Sequence, residues 1–176
     1  MLKISLSLLL ILAFPFFFSC DELEELTTFD LNTKSGIDRE VTISENDPLT
    51  FSTTFTLSMA SNPDIQDYIT KIKEYKVNKV TYQIRSFSGP SEENVLLSGV
   101  LKFGTVDVDL DKVNLTQMYL MGTTANLDLT DPELVNLAKA LESTKSITGS
   151  LAGEVTDKPV YFIVYFEFDL TLRVEG

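Results

Sequence analysis

The C-terminal segment constrains the fold of this chain more than any other part of the sequence. Every second residue from position 160 to position 172 is apolar: Val160, Phe162, Val164, Phe166, Phe168, Leu170 and Leu172. Because successive side chains of a strand point to opposite faces of a sheet, this period of two predicts a β-strand with one continuous apolar face. A strand this hydrophobic at an exposed edge would promote aggregation, so we expect it in the centre of a sheet.

The opposite face of the same predicted strand begins with Tyr161, Ile163 and Tyr165 and continues with polar residues. Beside Phe87 and Tyr119, these three residues are candidates to line an apolar groove for a lipid, a peptide or a glycan. The simpler interpretation, which we favour, is that they pack beneath amphipathic helices that need a sheet face to cover.

Two positions carry the start signal of a helix. Asn62-Pro63-Asp64 and Asp131-Pro132-Glu133 each combine a capping residue, a proline at the first helical position and an acid near the positive end of the helix dipole. Elsewhere period two recurs in short runs, one of them containing Met118 and Leu120, with turn residues between them. The sequence therefore predicts a mainly β fold: an antiparallel β-sandwich or flattened barrel with two short amphipathic helices, starting near Asn62 and Asp131.

The two helix signals also raise the question of an internal repeat. Each is followed by two predicted strands, and the helix starts lie 69 residues apart (131 − 62). A duplicated helix–strand–strand unit and a chance similarity both remain open at this point.

The N-terminal region has a different character from the rest of the chain. Lys3 precedes an apolar run over residues 8–18, which is shorter than the ~20 residues that a membrane-spanning helix needs. The sequence Phe17-Phe18-Ser19-Cys20 ends the run, and Cys20 is the only cysteine. This order of features resembles the export signal of bacterial lipoproteins. The alternative is an ordinary secretory signal followed by an unmodified thiol.

The resemblance implies cleavage before Cys20 and acylation of that residue. The chain then divides into a signal peptide (1–19), an acidic tether (20–27) and a single β-rich domain (28–176). The resemblance also implies that the protein is lipid-anchored in the cell envelope, and we expect the outer membrane as its location. The acidic residues after Cys20 act either as a solvated spacer or as a sorting signal, and known sorting rules for such residues conflict, so the membrane and its face stay open.

The amino-acid composition argues against several classes of function. The formal net charge is −12, and removal of Lys3 with the signal makes it −13 (−12 − 1), so we expect no nucleic-acid partner. The chain has no histidine and no tryptophan, and its eight glycines form no phosphate-binding loop. With the one thiol committed to acylation, we expect no enzymatic activity, no catalytic residues and no cofactor.

A calcium site is the one metal hypothesis that the sequence suggests. Asp107, Asp109 and Asp111 offer three carboxylates within five residues. The EF-hand pattern is not met, because Lys112 stands at the glycine position and Met118 at the glutamate position. We therefore interpret this segment as a strand with its polar face in water and expect no metal.

The expected function is a binding or assembly module for an envelope or surface partner, either a protein or a surface polymer. It would be held at the membrane by acylated Cys20. The alternative is a carrier of a hydrophobic ligand, enclosed in a cavity under the two helices. The apolar face of the C-terminal strand distinguishes the two, because a carrier would leave part of that face without protein contacts.

Overall fold

The computed structural model describes residues 28–90 and 94–176. The predicted signal peptide, the acidic tether and Cys20 lie outside the described residues. The described elements, in chain order, are β1 (Thr28–Ile43), β2 (Thr50–Ser58), β3 (Ile72–Ser88), β4 (Leu96–Phe103), β5 (Val106–Asn114), α1 (Leu115–Met121), β6 (Thr124–Asn126), α2 (Asp131–Thr144), β7 (Ser146–Val155) and β8 (Val160–Glu175). None of the helices in these residues is long and apolar enough to cross a membrane.

The strands form two four-stranded antiparallel sheets that pack face to face. Sheet A has the order β1-β8-β3-β6, and sheet B has the order β2-β7-β4-β5. Strand pairing is therefore nested: β1 with β8, β2 with β7, β3 with β6 and β4 with β5. This nesting is the jelly-roll arrangement of a β-sandwich. The prediction of an antiparallel β-sandwich with two short helices is confirmed.

Strand β8 lies in the centre of sheet A, between β1 and β3, as its sequence predicts. Its alternate residues from Val160 to Leu172 are all buried in the space between the sheets. Phenylalanine rings of sheet B pack on them: Phe55 stacks on Phe166 at 5.3 Å, and Phe103 meets Phe166 and Phe168 edge-on at 5.8 and 5.2 Å. Each such ring pair contributes about 0.5–1.5 kcal/mol beyond the area it buries.

Helix α2 begins where the sequence predicts, and local hydrogen bonds explain why. The Glu133 carboxylate accepts hydrogen bonds from the backbone N–H and the hydroxyl of Thr130, both at 2.7 Å. At the other end Lys145 adopts a left-handed conformation and donates its N–H to Leu141 O. Leu137, Ala138 and Leu141 form the buried side of the helix.

The helix predicted near Asn62 is wrong. That segment forms two 3₁₀ turns, Met59–Ser61 and Gln66–Tyr68. The Asn62 side chain does bind its own turn, since Oδ1 accepts from Asp64 N at 3.0 Å. Its Nδ2, however, donates to Lys34 O of β1 at 3.1 Å, and Ile65 is fully buried. Attachment of the Asn62 side chain to β1 replaces the helix that the local signal favours.

The second helix is α1, in a segment whose alternation predicts a strand. Asn114 caps its start by accepting a hydrogen bond from Gln117 N at 2.8 Å, and Gly122 ends it with a left-handed φ of 59°. Leu115 is buried, whereas Leu120 and Met121 are exposed. The structure does not support the internal repeat that the sequence leaves open. The first unit has no α-helix, and its two strands, β3 and β4, lie in sheet A and sheet B respectively, whereas β7 and β8 lie in sheet B and sheet A.

Candidate binding surfaces

The predicted groove residues Tyr161, Ile163 and Tyr165 lie in one row on the outer face of sheet A, and we call them the outer row. All three are half-buried. Strand register gives their neighbours, which are polar on both sides: Thr42, Glu40 and Asp38 on β1, and Ser88, Ser86 and Gln83 on β3. The result is a short aromatic and aliphatic stripe in a polar surround.

The interpretation that the outer row packs beneath helices is wrong. Helix α1 packs on β3 and β4, and α2 packs on β3 with smaller contacts to β5 and β7, so neither covers this face of β8. Phe87 and Tyr119 do not join the row either. Phe87 is paired with the inward-facing Phe162, and its ring lies 6.3 Å from that of Tyr119 on α1.

Tyr165 is held in place by contacts with Arg85 and Gly36. A β-bulge between Ile84 and Ser86 positions Arg85, whose guanidinium carbon lies 3.2 Å from the ring centroid. Arg85 in turn pairs with Asp38 of β1 at 3.2 Å. The tyrosine hydroxyl and ring edge cover Gly36, where an added Cβ would overlap them. Partial burial, followed by the charge of Glu167, raises the pKa of Tyr165, and Arg85 opposes this shift.

The outer face of sheet A changes character along β8. Beyond Tyr165 it becomes charged, with Glu167 paired to Lys34 at 2.8 Å and Asp169 accepting a hydrogen bond from the Asn78 amide at 3.0 Å. The hydrogen bond and charge of Glu167 raise the pKa of Lys34. Since Thr28 pairs with Glu175, the charged half is the one nearest the start of β1. The outer row occupies the half farthest from it.

A second concave surface lies between α2 and the edge of β3, and we call it the α2–β3 groove. Its volume is about 690 Å³, and it is lined by residues 74–78 of β3 and by one side of α2: Asp131, Leu134, Val135, Ala138, Lys139 and Glu142. Sequence reasoning missed it, because the periodicity of α2 predicts a helix that covers a sheet face. No signal in the sequence shows that β6 is only three residues long, which is what leaves this edge open.

The inner face of β8 weighs against a ligand cavity between the sheets. Phe162, Phe166 and Phe168 each have 0% exposure. Phe162 also meets Phe51 edge-on at 5.8 Å. The rings of sheet B therefore occupy the space that a hydrophobic cargo would need.

The aspartates of β5 face solvent as predicted. Asp107 pairs with Lys102 of β4 at 2.7 Å, and Asp109 and Asp111 are exposed. Across residues 28–90 and 94–176, no group of three or more acidic, histidine or cysteine side chains is arranged to hold a metal ion.

Comparison with known proteins gives only distant likeness. No protein-family model matches the chain. No curated protein matches it either. Among solved structures, a chain of Desmodium yellow mottle tymovirus is 9% identical with a TM-score of 0.35, covering 83% of this chain and 84% of that one. The decameric BFDV capsid protein is 10% identical with a TM-score of 0.36, covering 83% of this chain and 99% of that one. Likeness at this level does not extend to function.

Proposed function

We propose that this protein is a lipid-anchored binding or assembly module of the bacterial cell envelope, without enzymatic activity, that holds an envelope or surface partner through the outer row. The observation that carries the proposal is the outer row itself. Tyr161, Ile163 and Tyr165 stand on the central strand of sheet A and are covered by neither helix. Tyrosine and arginine are enriched where proteins bind their partners, so Arg85 beside Tyr165 supports this use.

The position of the tether supports a partner away from the membrane. Cys20, the expected acylation site, precedes the start of β1 by eight residues (28 − 20). Tyr165 and Tyr161 pair with Asp38 and Thr42, which are ten and fourteen residues further along β1 than Thr28. At about 3.3 Å per residue this separates the outer row from the anchored end by roughly 33–46 Å. Membrane attachment and partner binding would thus occupy opposite ends of the sandwich.

Photo-crosslinking in the native host tests this function. A benzoylphenylalanine at position 163 should form adducts with a defined envelope component. The same probe at position 54, an exposed site on the outer face of sheet B, is the matched control. Equal adduct patterns from the two positions would contradict the proposal. Ile163→Glu should abolish adducts from a probe placed at position 161 while leaving the thermal unfolding temperature unchanged.

A further inference from the structure

The edge of sheet A beside α2 is open along the first half of β3. Strand β6 pairs only with Thr81–Gln83, and Leu127 N adds one hydrogen bond to Val80 O. Among the described residues, no backbone hydrogen bond outside the strands and helices reaches residues 74–79. This stretch therefore pairs with β8 on one side and with no strand on the other.

A side chain of α2 lies where a further strand of sheet A would pair with β3. Glu142 Oε1 accepts a hydrogen bond from Tyr75 N at 3.4 Å, so the Tyr75 N–H points away from β8 and into the α2–β3 groove. Because alternate residues of an antiparallel strand direct their backbone groups to the same side, Val77 presents its N–H and C=O there as well. The Glu142 carboxylate stands where the carbonyl of a neighbouring strand would accept.

The groove is of a size and character suited to an extended peptide. Its volume of about 690 Å³ lies within the ~300–1,000 Å³ of typical ligand sites. Leu134, Ala138 and the half-exposed Val135 form the apolar part of its helical wall. Tyr75, which is 2% exposed, lines the same groove, and its hydroxyl has no hydrogen-bond partner.

The charges of the groove indicate the kind of peptide. Glu74, Asp131 and Glu142 provide three carboxylates against the two ammonium groups of Lys76 and Lys139. None of the five forms a salt bridge with another described residue. The occupant that best complements this arrangement has an apolar side chain for Leu134 and Val135 and a lysine or arginine near Glu142.

We propose that an extended, cationic segment of a partner protein adds to β3 as a further strand of sheet A, between β3 and α2. It hydrogen-bonds to the backbone of Tyr75 and Val77 and displaces Glu142 from the Tyr75 N–H. This is β-strand addition, in which the backbone supplies affinity and alternate side chains supply specificity. The site is separate from the outer row.

The test uses the mature protein, acylated at Cys20, in detergent micelles and a phage-displayed library of random octapeptides. Enriched peptides, synthesised with a fluorophore, should bind the wild type and bind Val135→Arg about tenfold more weakly or worse. Leu120→Arg, on the exposed side of α1, is the matched control and should bind as the wild type does. Ile163→Glu should also leave binding unchanged, which separates this site from the outer row.

Backbone pairing is tested directly by N-methylation of the peptide. A methyl group on every second amide should abolish binding in one register and be tolerated in the other, because only alternate N–H groups face β3. Hydrogen exchange of the Val77 amide should slow when the peptide binds. Failure to enrich any peptide that depends on Val135, or tolerance of both methylation registers, would overturn the proposal.

Discussion

The guanidinium of Arg85 lies directly over the ring of Tyr165, 3.2 Å from its centroid. Three adjacent strands contribute to this contact. Strand β8 provides the Tyr165 ring, and the bulge in β3 positions Arg85. Strand β1 provides Asp38, which pairs with Arg85, and Gly36, which lies against the edge of the ring. An aromatic side chain that is already fixed loses little rotamer freedom when a partner binds.

Gly36→Ala should destabilise the fold by about 1–3 kcal/mol, because the new methyl group overlaps the Tyr165 ring and forces it to move. Urea denaturation of the two proteins measures the change. In a Tyr165→Ala background, Gly36→Ala should lower the free energy of unfolding much less, because the obstructing ring is absent. Equal losses in both backgrounds would show that the ring and Gly36 are not coupled.

The start of α2 should make stability depend on pH. Hydrogen bonds from the backbone and then the hydroxyl of Thr130 lower the pKa of Glu133 below its usual 4.5. The stabilisation of the folded state by ionised Glu133 is therefore complete above pH 4.5. It is lost as the pH falls through the lowered pKa that Glu133 has in the folded state. Unfolding free energies measured across this range should fall less steeply for Glu133→Gln than for the wild type. Parallel curves would contradict this assignment.

Tyr75→Phe should leave stability unchanged or raise it by about 1 kcal/mol, because it removes a buried hydroxyl that has no hydrogen-bond partner. Chemical denaturation provides the measurement. Tyr119→Phe, at an exposed ring, is the control and should change stability by less than about 0.5 kcal/mol. A clear loss of stability in Tyr75→Phe would mean that the hydroxyl is bonded in solution.

The same tyrosine should influence stability in alkali. Burial, with the charge of Glu142 as the second cause, raises the pKa of Tyr75 from 10.0 to about 12. The folded state thus holds the Tyr75 proton more tightly than the unfolded chain does. The resulting contribution to the free energy of unfolding is present below pH 10.0 and is lost as the pH rises towards about 12. Tyr75→Phe should remove this part of the alkaline decline in unfolding free energy, and an unchanged decline would argue against it.

Cys20→Ser should move the protein from the membrane fraction to the soluble fraction of a bacterial host. Two or more acyl chains hold a protein at a bilayer, whereas one chain gives only marginal binding. Mass spectrometry of the wild type should show a mature N-terminus at an acylated Cys20. Cys20→Ser that stays in the membrane fraction, or an unacylated N-terminus at another residue, would contradict lipidation.

Some local patterns of the sequence predict the elements of the fold, and others do not. The alternation of β8 and the start signal of α2 both lead to the elements that they predict. Asn62 carries an equally good start signal, but its side chain is bound to β1, a contact 28 residues away that no local pattern encodes. The alternation predicts that the outer row forms one face of β8, but whether a helix covers that face depends on how the strands are nested. The α2–β3 groove depends on the same nesting.

The pairing of the first strand with the last has a consequence for the order of folding. Thr28 lies opposite Glu175, a separation of 147 residues (175 − 28), and the sixteen residues of β8 stand between β1 and β3. Contacts this distant in sequence make folding slow. During synthesis β8 leaves the ribosome only after β4, β5, β6 and β7, so β1 and β3 must wait for all of these strands before either can pair with β8.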